Sequence, residues 1–296
     1  MTRLGVVFHP AFEPEALPAY ARDAEAAGVD ELWLWEDCFR EGGVAQSAVA
    51  LAATERIRVA TGVLPMPLRN VALTAMEAAT LARIFPGRLV LGVGHGVQDW
   101  MGQTGARPAS PLTLMREYVP ALRALLAGER VTVAGRYVRL DGVALDWPPQ
   151  PPPPVWAAGE GPRTLELAGE LAEGVVFTGG TSAAVSTAAL ERVRAGAAGG
   201  AHPIPAAEFV MTAFAENADA VPAAQARLAA AWDAWEIPAE RRGGVAGTPS
   251  EVALQLRAWI DAGVTHLVLQ PMEDADRAAF VRAAGEVARR VRDASA

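Results

Sequence analysis

The chain contains no lysine: all 26 of its basic residues are arginine. Schiff-base formation and a lysine general base are therefore excluded. Cys38 is the only cysteine, which rules out an intrachain disulfide and a cysteine-based zinc site, and no metal centre is expected. No apolar run approaches the ~20 residues needed to span a bilayer. The first apolar run, at 4–8, has no secretory leader pattern before it. A cytoplasmic protein without membrane contact is the expectation. A formal net charge of −8 argues against a nucleic-acid surface. What is present is ordinary for a globular enzyme with an ample core: 296 residues, 51% hydrophobic and 20% charged. That length fits one α/β barrel as well as two domains. A single domain over 1–296 is expected.

The segment from Ile57 to Gly105 carries the most information. It reads as strand, helix, a Pro86-Gly87 turn, then a second apolar strand, which is a βαβ unit. The first strand ends in Thr61-Gly62-Val63-Leu64-Pro65 and the second in Gly94-His95-Gly96. Glycines at strand ends let the backbone approach a flat ligand closely. Along the rest of the chain, apolar runs alternate with amphipathic stretches. Strands are expected at 4–8, 31–35, 57–64, 88–93, 155–158, 174–177, 208–215 and 265–269. Helices are expected at 14–27, 47–54, 71–85, 112–127, 164–172, 183–197, 223–235, 250–262 and 277–291. Eight strands, each followed by helical material, make a closed (β/α)8 TIM barrel the economical architecture. Insertion segments interrupt it. Residues 131–140 read as a β-hairpin, and the proline run 148–154 as an extended surface connection.

Chemistry in such a barrel gathers at the carboxyl ends of the strands. These ends deliver His9, then Glu36, Asp37 and Cys38, then Thr61, Gly62 and Val63, then Gly94, His95 and Gly96. The fifth offers Ala158-Gly159-Glu160-Gly161 and the sixth Thr178-Gly179-Gly180-Thr181. Both of the latter immediately precede a helix, where backbone N–H groups and the helix dipole favour an anion such as phosphate. Helix capping alone would explain either one. Two on consecutive strands fit a phosphorylated cofactor.

His95 is the foremost acid/base candidate, because its imidazole can titrate near neutrality. It could equally hydrogen-bond a cofactor. His9 is a second candidate or a pocket liner, whereas His266 reads as structural and His202 as surface. Cys38 could approach a ligand or fill space, and its neighbours Glu36 and Asp37 disfavour a reactive thiolate. Trp100, Met101, Trp232 and Trp235 read as a pocket cover or as ordinary packing.

The segment 57–105, with Leu4-Gly5-Val6-Val7-Phe8, Glu31-Leu32-Trp33-Leu34-Trp35-Glu36-Asp37 and the strand from Gly263 to Leu269, resembles the luciferase-like monooxygenase superfamily. That group includes bacterial luciferase and enzymes using the deazaflavin coenzyme F-420. The resemblance implies a TIM barrel with an isoalloxazine or deazaflavin ring across its mouth and a ribityl phosphate held after strands five and six. It also implies a cis peptide after strand three, which by position is Gly62–Val63. On that basis the cofactor-binding residues would be Asp37, Cys38, Thr61–Val63, Gly94–Gly96, Ala158–Gly161 and Thr178–Thr181. His95, Cys38 and His9 would be the catalytic candidates.

Two departures restrict the chemistry. F-420-dependent dehydrogenases place an Asp-His pair after strand two, where this chain has Asp37-Cys38. They place a glutamate after the strand-four glycines, where it has Val97. Sugar-phosphate oxidation is therefore not expected. The expected function is hydride transfer between coenzyme F-420 and a small organic molecule. An FMN-dependent monooxygenase using oxygen and a non-catalytic flavin-binding barrel are the alternatives. A homodimer through the early helices is the expected assembly.

Overall fold

Short apolar strands and amphipathic helices alternate through the computed structural model, which describes residues 2–197 and 204–294. The first half contains β1 (Arg3–Phe8), α1 (Leu17–Ala27), β2 (Glu31–Leu34), α2 (Gly43–Ala53), β3 (Arg58–Thr61), β4 (Leu64–Pro65), α3 (Val71–Ile84), β5 (Leu89–Gly94), α4 (Gln98–Gln103) and α5 (Pro111–Leu126). An antiparallel hairpin, β6 (Val131–Ala134) and β7 (Arg139–Val143), follows. Then come β8 (Val155–Ala158), α6 (Pro162–Leu171), β9 (Gly174–Phe177), α7 (Ala183–Gly196), β10 (Ala206–Phe214) and α8 (Val221–Ala234). The last elements are β11 (Val245–Gly247), α9 (Pro249–Gln255), α10 (Arg257–Ala262), β12 (His266–Pro271) and α11 (Arg277–Asp293).

Eight parallel strands close on themselves in the order β1, β2, β3, β5, β8, β9, β10, β12, with β12 returning to pair with β1. This is the expected (β/α)8 barrel. Helix boundaries follow local chemistry: Asn70 and Asp276 accept backbone N–H groups at the starts of α3 and α11, and Thr248 with Glu251 forms a capping box on α9. Gly28 and Gly263, both left-handed, end α1 and α10.

The barrel interior is filled by few, large side chains. Trp33, Trp35, Trp156 and Phe209 pack there with Val7, Ala60, Val90, Val176, Ala207 and Val268. Strand glycines make room for the indoles: a Cβ on Gly174 would lie 2.3 Å from Trp156 Cε2, and one on Gly5 2.9 Å from Trp33 Cδ1. A larger apolar layer lies between the strands and the surrounding helices.

Several expectations are adjusted by the structure. The strand expected at 57–64 is split by a cis peptide at Gly62–Val63, and further cis bonds occur at Cys38–Phe39 and Gln150–Pro151. Helix α2 starts at Gly43 rather than 47, because the Glu36 carboxylate accepts the Gly43 N–H at 2.6 Å from seven residues away. The glycine- and proline-rich stretch after β5 contains α4, and the helix expected at 250–262 is two, joined at Leu256. Strand β11, not foreseen, adds in parallel to the carboxyl half of β10. His202 lies outside the described residues. Among the described residues, no helix is long and apolar enough to cross a membrane.

Candidate functional site

The carboxyl ends of the strands surround a cavity of about 650 Å³. That size is typical of small-molecule and cofactor pockets. Of the residues singled out in the sequence, Asp37, Gly62, Val63, Gly94, His95, Gly96, Ala158, Gly159, Glu160, Thr178 and Gly179 all form its wall. One side is nearly featureless, built from Gly62-Val63 and the end of β5. That flatness is enforced by packing, since a Cβ on Gly94 would lie 2.7 Å from Val63 Cγ2 and one on Gly62 2.5 Å from Phe209 Cζ. Gly96 takes φ +68° over Met101 and Pro65.

The adjoining side, after β8 and β9, is polar. The Glu160 carboxylate, just before α6, accepts the Thr178 hydroxyl at 2.7 Å, with an Arg241 guanidinium nitrogen 3.5 Å away. A hydroxyl and a guanidinium therefore meet at a position that the chain's own anion occupies. This donor set fits a phosphate. Beneath it, Glu208 is fully buried and accepts hydrogen bonds from Thr181 and Ser186. Burial pushes its carboxyl up to about 8, against the pull of those two hydroxyls and Arg241. Burial thus favours the neutral form of Glu208, which adds little charge against an anion above it.

His95 has a largely buried ring, which lowers its pKa and leaves the imidazole neutral. Its Nε2 lies 3.4 Å from Thr164 Oγ1, while Nδ1 is buried without a partner. A buried ring nitrogen with nothing to bond is the kind of atom that a bound ligand satisfies. Asp37 is half-buried. Burial raises its pKa, and Arg40 partly offsets this.

Other candidates are placed elsewhere. His9 lines a neighbouring cavity of about 290 Å³, separated from the first by Trp235, which borders both. Burial lowers the His9 pKa to about 4, despite the opposing charge of Glu273, and its Nδ1 accepts the Ala11 N–H. It is neutral across the physiological range. Cys38 is not on the wall, and burial with the charges of Glu36 and Asp37 raises its thiol pKa. Thr61 is turned away: its hydroxyl both donates to the Gly92 carbonyl and accepts the Gly92 N–H, stitching β3 to β5. Gly161 caps α6, Gly180 takes φ +79°, and Thr181 faces Glu208, so all three shape the anion side from behind. Glu36 is held by Arg69 through two hydrogen bonds at 3.2 and 2.7 Å. Its role includes anchoring α2.

Trp35, Phe209 and Trp235 also line the cavity and were not assigned to the cofactor from sequence. The Trp33-Leu34-Trp35 alternation at a strand end was the available signal. Trp35 Nε1 and Gln270 Oε1 are further buried polar atoms without partners among the described residues. His266 is structural as expected, bonded to Glu31 at the opposite end of the barrel. Trp100 lines the cavity, while Met101 is fully buried beneath it.

Comparison with known proteins gives this geometry its context. The family model described as luciferase-like monooxygenase matches residues 3–244. An F-420-dependent glucose-6-phosphate dehydrogenase from Kineococcus radiotolerans is 31% identical, with 90% of this chain and 90% of that protein aligned. A 5,10-methylenetetrahydromethanopterin reductase from Methanolobus tindarius is 34% identical over 58% of this chain, an alignment spanning only 53% of the reductase. In fold, the chain superposes on an F-420-dependent secondary alcohol dehydrogenase, solved with an F-420–acetone adduct, with TM-score 0.85 at 21% identity. That superposition covers 99% of each chain. The chain therefore belongs to the luciferase-like monooxygenase family.

Proposed function

We propose that this protein is a coenzyme F-420-dependent oxidoreductase that transfers hydride to or from a small organic molecule. The observation that carries the reading is the two-part cavity: a wall of Gly62-Val63 and Gly94 adjoins a hydroxyl and a guanidinium, gathered at Glu160, that suit a phosphate. Coenzyme dependence in the relatives that align with most of this chain supports the choice of cofactor. When bound, the coenzyme supplies the hydride chemistry. Gly62, Val63, Gly94 and Gly96 would support its ring, and Ala158–Gly161 with Thr178–Thr181 would hold its phosphate. Asp37 would orient a polar edge.

The neutral His95 would hold or move a proton at Nδ1, the nitrogen left unpaired. His9 would meet the substrate from the adjoining chamber. Sugar-phosphate oxidation is disfavoured for this chain. Val97 stands on the cavity wall where a glutamate would act as acid, and lysines to grip a sugar phosphate are absent. We further propose a cytoplasmic, single-domain protein. It would pair as a homodimer through α2 and α3, where Val49, Leu73, Met76 and Ile84 are exposed.

Fluorescence titration with F-420 and with FMN tests the cofactor. Saturable binding of F-420 alone is expected. Binding of FMN alone, accompanied by oxygen uptake, would establish the monooxygenase reading instead. A His95→Ala variant should bind coenzyme yet lose most turnover, about 10²-fold or more if the residue moves a proton. Coenzyme binding without turnover by the wild type on any carbonyl or alcohol offered would favour a storage barrel.

A further inference from the structure

A third cavity, of about 450 Å³, opens between the segment after β4, the loop before α5 and the β6–β7 hairpin. Its floor is apolar, formed by Met66, Leu114, Val138 and the rings of Tyr118 and Tyr137. Three arginines, Arg69, Arg107 and Arg139, line it, and no carboxylate does. In a chain with eight more acidic than basic residues, that is an unusual local balance.

Arg69 is already held by Glu36 and Glu77, both at 2.7 Å. Arg107 and Arg139 are different: among the described residues neither makes an ion pair, and Arg139 reaches only the Gly135 carbonyl, at 3.4 Å. The walls that carry them are fixed. Glu117 on α5 accepts the backbone N–H groups of Arg136, Tyr137 and Val138, pinning the hairpin turn. The Tyr137 hydroxyl accepts the Ser110 N–H, tying the hairpin to the start of α5. The Tyr118 hydroxyl is engaged with Thr74.

We propose that this cavity is a binding site for a small anion, a carboxylate or phosphate group carried on an apolar or aromatic body. Guanidinium forks pair with carboxylate and phosphate oxygens in bidentate fashion, and the apolar floor receives the body of the ligand. The site is separate from the proposed coenzyme cavity and uses none of its residues.

The test uses the protein without coenzyme, so its outcome is independent of the redox reading. Benzoate, inorganic phosphate and the neutral analogue benzamide are titrated calorimetrically into the wild type and into Arg107→Ala/Arg139→Ala. Both arginines are exposed, so the double variant should keep the wild-type melting temperature. Benzoate should bind saturably and tightest, phosphate more weakly and benzamide not at all. The double variant should lose benzoate affinity by about tenfold or more, the scale of charge-assisted bonds. Benzoate binding that survives in the double variant would place the ligand in another cavity and overturn the proposal. Equal binding of benzamide, or no saturable binding of either anion at millimolar concentration, would also overturn it.

Discussion

The two ends of the barrel treat their buried polar groups in opposite ways. At the amino-terminal floor, Glu31 is wholly buried and every nearby donor is paired with it. Trp33 Nε1 donates at 3.0 Å, Arg58 at 3.0 Å, and His266 Nδ1 lies at 2.9 Å. Burial pushes the Glu31 carboxyl up, yet His266, Arg58 and the indole N–H outweigh it and hold the pKa below the usual range. At the carboxyl-terminal mouth, Trp35 Nε1, His95 Nδ1 and Gln270 Oε1 are also buried and have no partner among the described residues. An unsatisfied buried polar atom costs about 1–3 kcal/mol. Glu41 Oε2, Arg227 Nε and Trp259 Nε1 share that state elsewhere, but Trp35 and His95 line the mouth cavity itself, where a ligand can reach them. The floor is built for stability and the mouth for a ligand.

Breaking the floor should have the largest effect. Glu31→Ala leaves the partly buried Arg58 cation unpaired and the Trp33 and His266 nitrogens without their acceptor. A loss of about 3–5 kcal/mol in urea unfolding is expected, as for one partner removed from a buried pair. A loss below 1 kcal/mol would mean the three contacts contribute nothing net, and the contrast between the ends would collapse.

Glu208, under the anion side of the mouth, gives the next effect through pH. Its folded pKa of about 8 lies above the ordinary carboxylate value, so the folded state binds more protons between those limits. Its contribution is fully present at low pH and lost as pH rises through 8. Its share of the stability slope should therefore approach about −1.4 kcal/mol per pH unit over that window. Glu208→Gln removes that slope. Unfolding curves of both proteins from pH 5 to 9 should diverge as pH rises, with the variant favoured. Parallel curves would mean Glu208 is ionised and the buried pair of hydroxyls is stabilising a charge.

The barrel was legible because its strands are apolar runs broken by glycine, and a rule of topology then places the site at their carboxyl ends. Where signals were not local, reading failed. The start of α2 depends on Glu36, seven residues upstream, rather than on its own Gly42-Gly43. Three-residue β11 owes its existence to the edge of β10. Within the site, backbone segments were found but side-chain directions were not. Thr61 points across to Gly92, and Cys38 lies off the wall although Asp37 is on it. Trp235 was read as a pocket cover, but Trp35 and Phe209 escaped because they meet it from the end of β2 and from β10, far apart in sequence.

The same chemical change made at each end gives the smallest and most discriminating effect. Trp33→Phe removes an indole N–H bonded to Glu31, whereas Trp35→Phe removes one bonded to nothing. Both rings are buried and both pack edge-on against Phe209, at 5.5 and 5.2 Å. The lost ring area is therefore similar, and the difference isolates the hydrogen bond. Trp33→Phe also leaves a lone pair of Glu31 unsatisfied, so it should cost about 1–3 kcal/mol more than Trp35→Phe. Trp35→Phe should lie within about 1 kcal/mol of the wild type, because the missing donor had cost the apo fold its desolvation. Titration then reverses the ranking. If the mouth orphan serves a ligand, Trp35→Phe weakens ligand binding several-fold while Trp33→Phe leaves it unchanged. Equal stability losses for the two variants would show that the Trp35 N–H is already satisfied in solution. The difference between floor and mouth would then be one of hydration rather than of design for a ligand.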